Sequence, residues 1–517
     1  MRVPRFADPA RAATVLAALL VVVVSWTLLV PPGAGADEPS HLVRAGAVAR
    51  GDWTGEDVGQ LSLESHVLPD SYVLPDTCYA FRPEVPVSCA APVDRTGADV
   101  VLTTRADEYQ VWPHLVYGLP TLLPGPPAVW WARAVGAAVV IALVGGALLQ
   151  AGASARRAGI VLALTPMALG TFATVNPSTF TIAGAIALWS VAVRRSTWTT
   201  NGAWLLAAGW AAMSLSRRDG LVWAVLVVVV LQWSMGWSSL DRWRSMTWGP
   251  RVAIALASAI TVAWGLTNDS RVSQLVALSP LALVGSELAR SFWLRRSSTV
   301  HRVVFAIGAC ATLTAVTAVA LSRRPGGWDG ALARAVVGQT GTHLVEAVGV
   351  LGWLDAPLPW LVVAGWVGTV GVLTAGALAT ESRRPLAALT VLAVAVVTSW
   401  VFELLHGNST GRYWQGRYSL PLLVGIPILL AAAVRSRSLV RAVVATAMLL
   451  LNAALWASAR RWGVGLQGSL LPWDWDTPHT PLPAIVLLAT HAAGSVVLVW
   501  ALSRRAATPT GEVTPSA

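Results

Sequence analysis

The chain passes from its first long apolar run, Ala12–Val30, into the charged stretch Asp37-Glu38-Pro39-Ser40-His41-Leu42-Val43-Arg44. An apolar run of about 19 residues is long enough to cross a bilayer as a helix. The basic residues that precede it are Arg2, Arg5 and Arg11. Arginines of this kind are typical of the cytoplasmic end of a membrane helix. We therefore predict an uncleaved first membrane helix and a charged stretch on the far side of the membrane.

The same stretch allows a second interpretation, a cleaved signal peptide. Ala34-Gly35-Ala36 is similar to a small-residue cleavage site, and cleavage there would leave Asp37 as the new N-terminus. The apolar part of a signal peptide usually has about 7–15 residues. The run here is longer, which favours the uncleaved helix.

The composition indicates a membrane protein. Of the 517 residues, 55% are hydrophobic and 12% are charged, whereas a soluble domain has about 25% charged residues. Apolar runs of spanning length recur along the whole chain, and alternation with a period of two residues is absent. We predict an all-α, polytopic integral membrane protein with about 12–14 transmembrane helices and a long first extracytoplasmic loop.

The net charge of +11 comes from arginine, since the chain has no lysine. The arginines lie mostly in short loops beside apolar runs, where they act as topology signals. This placement argues against nucleic-acid binding. It predicts a membrane protein with both termini in the cytoplasm. The arginines that this topology places outside, against the trend, are Arg217-Arg218, Arg323-Arg324, Arg412, Arg417 and Arg460-Arg461.

The predicted organisation follows from the apolar runs. It comprises a cytoplasmic N-terminus (1–10), a first transmembrane helix (11–30), an extracytoplasmic loop with the acidic motif (31–127), a transmembrane bundle (128–321), an extracytoplasmic loop with amphipathic helices (322–357), C-terminal transmembrane helices (358–502) and a disordered cytoplasmic tail (503–517). The later helix candidates include Ala128–Gln150, Gly159–Thr174, Gly220–Met235, Val303–Leu321 and Tyr418–Val434.

Two of the three cysteines, Cys78 and Cys89, lie in the first loop. In an extracytoplasmic loop they are favoured to form a disulfide that contributes about 2–3 kcal/mol. The alternative is a pair of unpaired thiols. Within the loop, Asp37 suits a helix N-cap and Pro39 the first turn. His41 and Arg44 then follow Asp37 on one helix face.

The ionisable side chains gather at the predicted outer face rather than along the membrane midplane. Transfer from a phosphate-linked donor needs a carboxylate that accepts a proton and cations that hold the leaving phosphate. Asp37 or Glu38 can be the base, and Arg412 and Arg417 can hold the phosphate. The competing interpretations are a helix cap for Asp37 and interfacial anchoring beside Tyr418 for the arginines.

Several motifs together resemble a bacterial membrane family catalogued as domain of unknown function 2142. They are Asp37 to Arg44, Asn176-Pro177-Ser178, Gly352-Trp353-Leu354-Asp355-Ala356-Pro357-Leu358-Pro359, and Gln415-Gly416-Arg417-Tyr418-Ser419-Leu420-Pro421. They occur in the family's order and cover most of the chain, and the resemblance implies a location in the bacterial plasma membrane. Ala356 departs from the hydroxyl residue expected there.

That family is similar to the GT-C glycosyltransferases, membrane enzymes that use polyprenyl-phosphate sugar donors. The resemblance implies that Asp37 acts in catalysis, with Glu38 as its neighbour or alternative. Arginines in later exterior loops bind the lipid phosphate in such enzymes, which implicates Arg412 or Arg417. From their position at or beside the predicted outer face, we also predict that His41, Arg44, Asp355 and Tyr418 bind the substrate or the lipid phosphate. Some GT-C enzymes need a divalent metal and others do not, so the sequence leaves the cofactor open.

The leading hypothesis is an inverting glycosyltransferase that acts outside the cytoplasm in cell-envelope glycan or glycoconjugate assembly. Its expected partners are the bilayer, a polyprenyl-phosphate sugar donor and a glycan or glycolipid acceptor. The alternatives are a transporter or flippase of lipid-linked envelope precursors and a non-catalytic membrane scaffold. A flippase would move its substrate without forming a glycosidic bond.

Overall fold

The computed structural model describes residues 9–60, 63–152, 154–194, 198–267, 271–295, 330–406 and 414–503. The predicted helix Val303–Leu321, the loop residue Arg412 and the tail from residue 504 onward lie outside these ranges.

Helices make up most of the described chain. In the N-terminal part they are α1 (Pro9–Leu29), α2 (Glu38–Ala49), α3 (Val111–Gly118), α4 (Ala128–Val140), α5 (Gly146–Gln150), α6 (Ser154–Ala163), α7 (Pro166–Phe172), α8 (Ser178–Ala192), α9 (Thr200–Ser214), α10 (Gly220–Met235), α11 (Ser239–Ser245), α12 (Trp248–Thr267) and α13 (Arg271–Arg295). In the C-terminal part they are α14 (Gly330–Gly338), α15 (Thr340–Gly349), α16 (Trp360–Leu378), α17 (Arg383–His406), α18 (Leu420–Leu423), α19 (Gly425–Ala431), α20 (Arg437–Val464) and α21 (Ala484–Ser503).

Seven of the described helical segments are long and apolar enough to cross a membrane, counting α4 and α5 with the π turn between them as one span. The predicted class, an all-α polytopic membrane protein, is confirmed. Two predicted helices are interrupted. Gly159–Thr174 breaks before Pro166, and Tyr418–Val434 begins as a 3-10 turn and continues as two short helices. Proline lacks the N–H that would continue the helical ladder, which explains the break at Pro166.

The first and last described helices lie side by side. Arg11 Nε near the start of α1 donates to the carbonyl oxygen of Ala501 near the end of α21, at 2.9 Å. The two ends of the described chain therefore lie at the same end of the bundle. The residues after Leu29, including Asp37, lie at the other end.

The first loop contains a small antiparallel sheet that the sequence did not predict. Its strands are β1 (Glu56–Asp57), β2 (Glu64–Pro69) and β3 (Asp99–Thr104), with β2 in the centre. His66 is paired with Leu102 in the register of β2 and β3. A second two-stranded pairing joins β4 (Val350–Leu351) to β5 (Ala356–Pro357).

The segment between the two loop cysteines is held in two ways. Cys78 and Cys89 form a disulfide with a Cα–Cα distance of 6.3 Å. Arg461 at the end of α20 donates to carbonyl oxygens of Tyr79, Arg82 and Val85. The loop is thereby attached to the membrane bundle.

Candidate active site

Glu38, the first residue of α2, is fully buried and hydrogen-bonded on both carboxylate oxygens. Its side chain is 0% exposed and pairs with Arg133 of α4 through two hydrogen bonds of 2.7 Å. The backbone N–H groups of Gly33 and Val175 also donate to its carboxylate, both at 2.9 Å. Arg133 further donates to the carbonyl oxygens of Thr27, Val30 and Pro31, at and just beyond the end of α1. We call Glu38 and Arg133 the clamp, because together they join the end of α1 to the start of α2.

Asp37 precedes the clamp residue, and its environment is different. Its side chain is 47% exposed, and Oδ2 accepts a hydrogen bond of 2.6 Å from Nη2 of Arg417. These residues are 380 positions apart in the chain. The fold therefore brings together the two predicted site residues with the greatest chemical relevance, a carboxylate and a guanidinium.

The prediction that the Asp37 side chain caps α2 is wrong. Asp37 does occupy the N-cap position, but its φ of 65° is left-handed and its side chain makes no capping hydrogen bond. A capping side chain normally needs an extended backbone that directs its oxygen towards the first amides of the helix. The left-handed backbone directs the carboxylate away from those amides, and Oδ2 contacts Arg417.

Arg417 lies in a short turn that two buried acids hold in place. Glu403 accepts from the backbone N–H of Trp414 at 2.7 Å, and Glu346 accepts from that of Gly416 at 3.0 Å. Gly416 packs so closely against the backbone of α15 that a Cβ there would overlap His343. The Arg417 side chain is 8% exposed, and its Nε has no acceptor among the described residues. This turn presents a buried cation with unused donor capacity to Asp37.

A second arginine shares an aromatic ring with Arg417. The guanidinium carbon of Arg217, in the turn between α9 and α10, lies 4.5 Å from the ring centroid of Tyr418, and that of Arg417 lies 5.4 Å away. Arg217 also donates to Asp219 at 2.9 Å and to Ser178 at 3.0 Å. Two guanidinium groups therefore lie against the ring of Tyr418, and one of them contacts the half-exposed carboxylate of Asp37. Such a set can bind a phosphate and accept a proton.

His41 faces the same arginines but is uncharged. Burial lowers its pKa to about 3, and the charges of Arg417 and Arg217 add to this effect. His41 Nδ1 lies 3.1 Å from Nε2 of His114, and His114 Nδ1 lies 3.1 Å from the carbonyl oxygen of Gln110. Because a carbonyl only accepts, His114 carries its proton on Nδ1, and His41 then donates from its own Nδ1. This assignment leaves Nε2 of His41 as a neutral acceptor.

The next turn of α2 leads into an acid–histidine network. Arg44 forms an ion pair with Asp107 and also donates to the carbonyl oxygen of Trp53. Ligand atoms of Glu64, His66 and Asp107 all lie within 4.8 Å of one another, so these three residues could hold a divalent metal.

The contacts within the network fit a metal poorly. Both ring nitrogens of His66 already lie against carboxylates, Nδ1 at 2.6 Å from Asp52 and Nε2 at 3.1 Å from Asp107. Asp107 is also paired with Arg44. A cation would have to displace these contacts, and the function proposed below does not depend on one.

Asp355 lies in another buried ion pair. Its Oδ2 accepts from Arg461 at 2.9 Å, and Oδ1 accepts from the backbone N–H of Trp353 at 3.0 Å. Its partner Arg461 is the residue that holds the disulfide loop. The structure thus does not bring Asp355 into contact with Arg417, and its role in substrate binding remains a prediction. Arg412 lies outside the described residues.

The family of the chain follows from comparison with known proteins. A family model described as "Predicted membrane protein (DUF2142)" matches residues 20–426. The chain belongs to this family. The family match contains both Asp37 and Arg417, which confirms the resemblance inferred from the four motifs.

The other comparisons are more distant. No curated protein matches the chain. One similar solved structure is ArnT from Cupriavidus metallidurans bound to undecaprenyl phosphate, with 15% identity and a TM-score of 0.41, covering 96% of this chain and 78% of that one. Another is the oligosaccharyltransferase of Archaeoglobus fulgidus in the apo form, with 11% identity and a TM-score of 0.41, covering 96% of this chain and 57% of that one. Similarity to solved structures at 15% and 11% identity concerns the fold alone.

Sequence reasoning did not select Arg133, Arg217 or His114 for this region. Arg133 could have been identified from the sequence, since an arginine inside an apolar helix is energetically costly and normally has a specific partner. Arg217 stood out as an arginine on the predicted outer side. His114 had no signal, because its contact with His41 depends on the fold of the intervening loop.

Proposed function

We propose that this protein is a membrane glycosyltransferase that transfers a sugar from a polyprenyl-phosphate donor to a hydroxyl acceptor on the extracytoplasmic side. In this proposal Asp37 is the general base, and Arg417, with Arg217 beside it, binds the phosphate. The reaction serves assembly of a cell-envelope glycan or glycoconjugate.

The observation that carries the proposal is the contact between Asp37 and Arg417. Of the two adjacent carboxylates, Glu38 accepts from two backbone N–H groups and from two N–H groups of the buried Arg133, whereas Asp37 is half-exposed and touches one guanidinium. A base must reach the acceptor hydroxyl, and a phosphate-binding arginine needs free donor capacity. Asp37 and Arg417 meet these requirements at the end of the bundle where α1 ends and α10 begins.

In the proposed reaction the donor phosphate replaces Asp37 as a partner of Arg417, which frees the carboxylate. The acceptor hydroxyl oxygen attacks the anomeric carbon of the donor sugar from the face opposite the phosphate. The new glycosidic bond forms as the bond between the anomeric carbon and the phosphate oxygen breaks. The hydroxyl proton passes to Asp37, and the phosphate leaves with the bonding electron pair. Attack from the opposite face inverts the configuration at the anomeric carbon.

The cationic groups stabilise the charge that develops on the leaving phosphate. Both guanidinium groups contact the ring of Tyr418, which orients them. His41 has no charge and therefore does not attract the phosphate away from the arginines. Its neutral state follows from burial and from the arginines themselves.

The proposal can be tested before the sugar is identified. Membrane lipids from a strain that lacks the gene would be extracted and polyprenyl-linked sugars measured by mass spectrometry. We expect one lipid-linked sugar to accumulate and to disappear when the wild-type gene is restored. Asp37→Asn and Arg417→Gln should fail to clear it, whereas the matched control Glu56→Gln, an exposed acid in β1, should clear it fully.

Clearance of the lipid-linked sugar by both site variants would contradict the proposed roles. A different outcome distinguishes the flippase. If labelled lipid-linked sugar moved between leaflets of reconstituted vesicles without formation of a new glycosidic bond, the protein would be a transporter. Loss of the accumulated lipid together with a new glycosidic product supports the transferase.

A further inference from the structure

A second feature lies away from the Asp37 site, among α8 to α13. It is a cavity of about 230 Å³, lined almost entirely by apolar side chains. Representative lining residues are Leu206, Trp210, Val225, Ile254 and Leu283. An apolar cavity of about 150 Å³ is already enough to stay dry and take a small apolar ligand. The chemistry of this lining therefore suits a hydrocarbon chain.

The polar end of the cavity is opposite the candidate active site. Helix α10 begins next to Arg217, and its 16 residues extend over about 24 Å to Met235. Gly236 then ends the helix, and α11 turns away from it at 108°. The cavity follows α10 from Leu221 to Trp237 and ends at α11. A ligand at this end would belong to the other leaflet from the proposed donor.

Cationic and N–H groups converge at this end. The guanidinium carbon of Arg242 lies 5.4 Å from the ring centroid of Trp198 and 6.0 Å from that of Trp237. Its Nη2 donates to the carbonyl oxygen of Arg194 at 3.3 Å. Arg242, which lines the cavity, thus brings positive charge to this end of it.

Two indole N–H groups at this end have no acceptor among the described residues. They are Nε1 of Trp198 and Nε1 of Trp237, which both line the cavity. Trp237 is 9% exposed. Buried donors are almost always hydrogen-bonded in folded proteins. Unfilled indole donors beside the guanidinium group of Arg242 therefore indicate an anionic acceptor such as a phosphate.

The nearby acid does not provide that acceptor. Glu287 of α13 is engaged by Arg290 at 2.6 Å and by the side chains of Gln232, Ser238 and Ser239. The negative charge of Glu287 is therefore paired with Arg290. This leaves the indole donors of Trp198 and Trp237 without an acceptor among the described residues.

Within the described part of the chain, the cavity is open on the lipid-facing side of α12. Ala255 of α12 lines it and is exposed. Neighbouring Leu256 is 56% exposed, as expected for a helix that faces lipid. A chain can therefore enter from the side, without passing through the bundle.

We propose that this cavity binds one hydrocarbon chain of an anionic phospholipid in the leaflet opposite the active site. The lipid phosphate accepts hydrogen bonds from the indole N–H groups of Trp198 and Trp237, and the positive charge of Arg242 stabilises it. The site is independent of the proposed transferase activity, since its evidence and its test concern lipid binding alone.

The test uses full-length protein delipidated in a neutral detergent. Phosphatidylglycerol, phosphatidylcholine with the same chains, and inorganic phosphate are added in separate titrations followed by native mass spectrometry and thermal unfolding. We expect phosphatidylglycerol to bind about tenfold more tightly than phosphatidylcholine, because charge-assisted hydrogen bonds favour the net anion. It should also raise the unfolding temperature by preferential binding to the folded state. Inorganic phosphate should do neither.

Two variants separate headgroup from chain. Arg242→Gln should abolish the preference for phosphatidylglycerol, and Ala255→Trp, which fills the entrance, should reduce binding of both lipids. Arg244→Gln is the matched control, since Arg244 lies on the same helix with an exposed side chain. Equal binding of the two lipids by the wild type, an unchanged preference in Arg242→Gln, or an equal effect of inorganic phosphate would overturn the proposal. If Arg242→Gln does not fold, Ala255→Trp still decides whether this cavity holds the chain.

Discussion

Asp37 and Glu38 are neighbours in the chain, and each is paired with an arginine, yet the two ion pairs differ in burial and in hydrogen bonding. The Glu38–Arg133 clamp is fully buried and its carboxylate is surrounded by N–H donors. The Asp37–Arg417 pair has one contact, a half-exposed carboxylate and an unfilled donor on the arginine. An ion pair whose hydrogen-bonding groups are all engaged holds structural elements together. An ion pair with an unused donor can exchange its partner for a ligand. Substitutions at Glu38 should therefore lower the stability of the fold, whereas substitutions at Asp37 should lower the activity.

The largest expected effect is on activity at Asp37. Asp37→Asn should lower the transfer rate by about 10²–10⁴-fold, the usual contribution of a general base. Folding should be unchanged, because asparagine is well tolerated in a left-handed backbone. The measurement is single-turnover transfer from the accumulated lipid-linked sugar, with thermal unfolding recorded in parallel. A rate within a few-fold of the Glu56→Gln control would remove Asp37 from the mechanism.

The complementary change at the clamp should act on stability. Glu38→Ala leaves Arg133 buried without its counter-ion, which costs about 3–5 kcal/mol. We expect a much lower unfolding temperature and a low yield of folded protein. The double variant Glu38→Leu with Arg133→Met should recover part of this loss, because it removes both charges. It cannot recover all of it, since Arg133 also binds carbonyl oxygens at the end of α1. A stable but inactive Glu38→Ala protein would instead assign catalysis to Glu38.

A smaller effect is expected from the disulfide. Replacing Cys78 and Cys89 by serine should cost about 2–3 kcal/mol, because the unfolded loop gains conformational freedom. The transfer rate of the folded fraction should stay near the wild-type value, since Arg461 still holds the loop carbonyls. Thermal unfolding with and without reductant measures the first effect. A rate loss as large as that of Asp37→Asn would show that the loop controls the site directly.

The smallest effect is a pH dependence in the first-loop sheet. Burial tends to lower the pKa of His66, but hydrogen bonds to Asp107 and Asp52 outweigh it, so the pKa is raised. Protonated His66 therefore stabilises the folded loop. That contribution is complete below the unfolded pKa of about 6.5 and is lost as the pH rises through the folded pKa.

Hydrogen exchange of the amides of β2 and β3 can detect this change. After correction for the intrinsic exchange rate, protection should fall from pH 6 to pH 9 in the wild type. The fall should be absent in His66→Gln. An equal fall in both proteins would exclude His66 as its source. Glu64 titrates in the same network and has a raised pKa because of burial and Asp107, so it is the residue to examine next.

The membrane architecture was largely predictable because apolar length alone specifies a spanning helix. Ala128–Gln150 was predicted with the limits that the structure shows for α4 and α5 together. The first-loop sheet was not predictable in the same way. Its strands are short and lie among prolines and charges, and their pairing depends on contacts between distant segments.

The candidate site was predictable only in part. The motifs drew attention to Asp37 and Arg417, but spacing cannot place residues 380 positions apart in contact. Nor could residue type separate Asp37 from Glu38. That difference comes from the left-handed turn at Asp37 and from Arg133, which lies on another helix. The two adjacent carboxylates therefore differ because each contacts a different arginine that is distant in sequence.

The most direct test is the binding of undecaprenyl phosphate to purified wild-type, Asp37→Asn and Arg417→Gln proteins, which requires neither the sugar nor the acceptor to be identified. If the phosphate competes with Asp37 for Arg417, Arg417→Gln should bind the lipid at least about tenfold more weakly. Asp37→Asn should bind it as tightly as the wild type or more tightly, because the competing charge is gone. Equal weakening by the two variants would mean that Asp37 only supports Arg417, and unchanged binding in both would place the phosphate elsewhere.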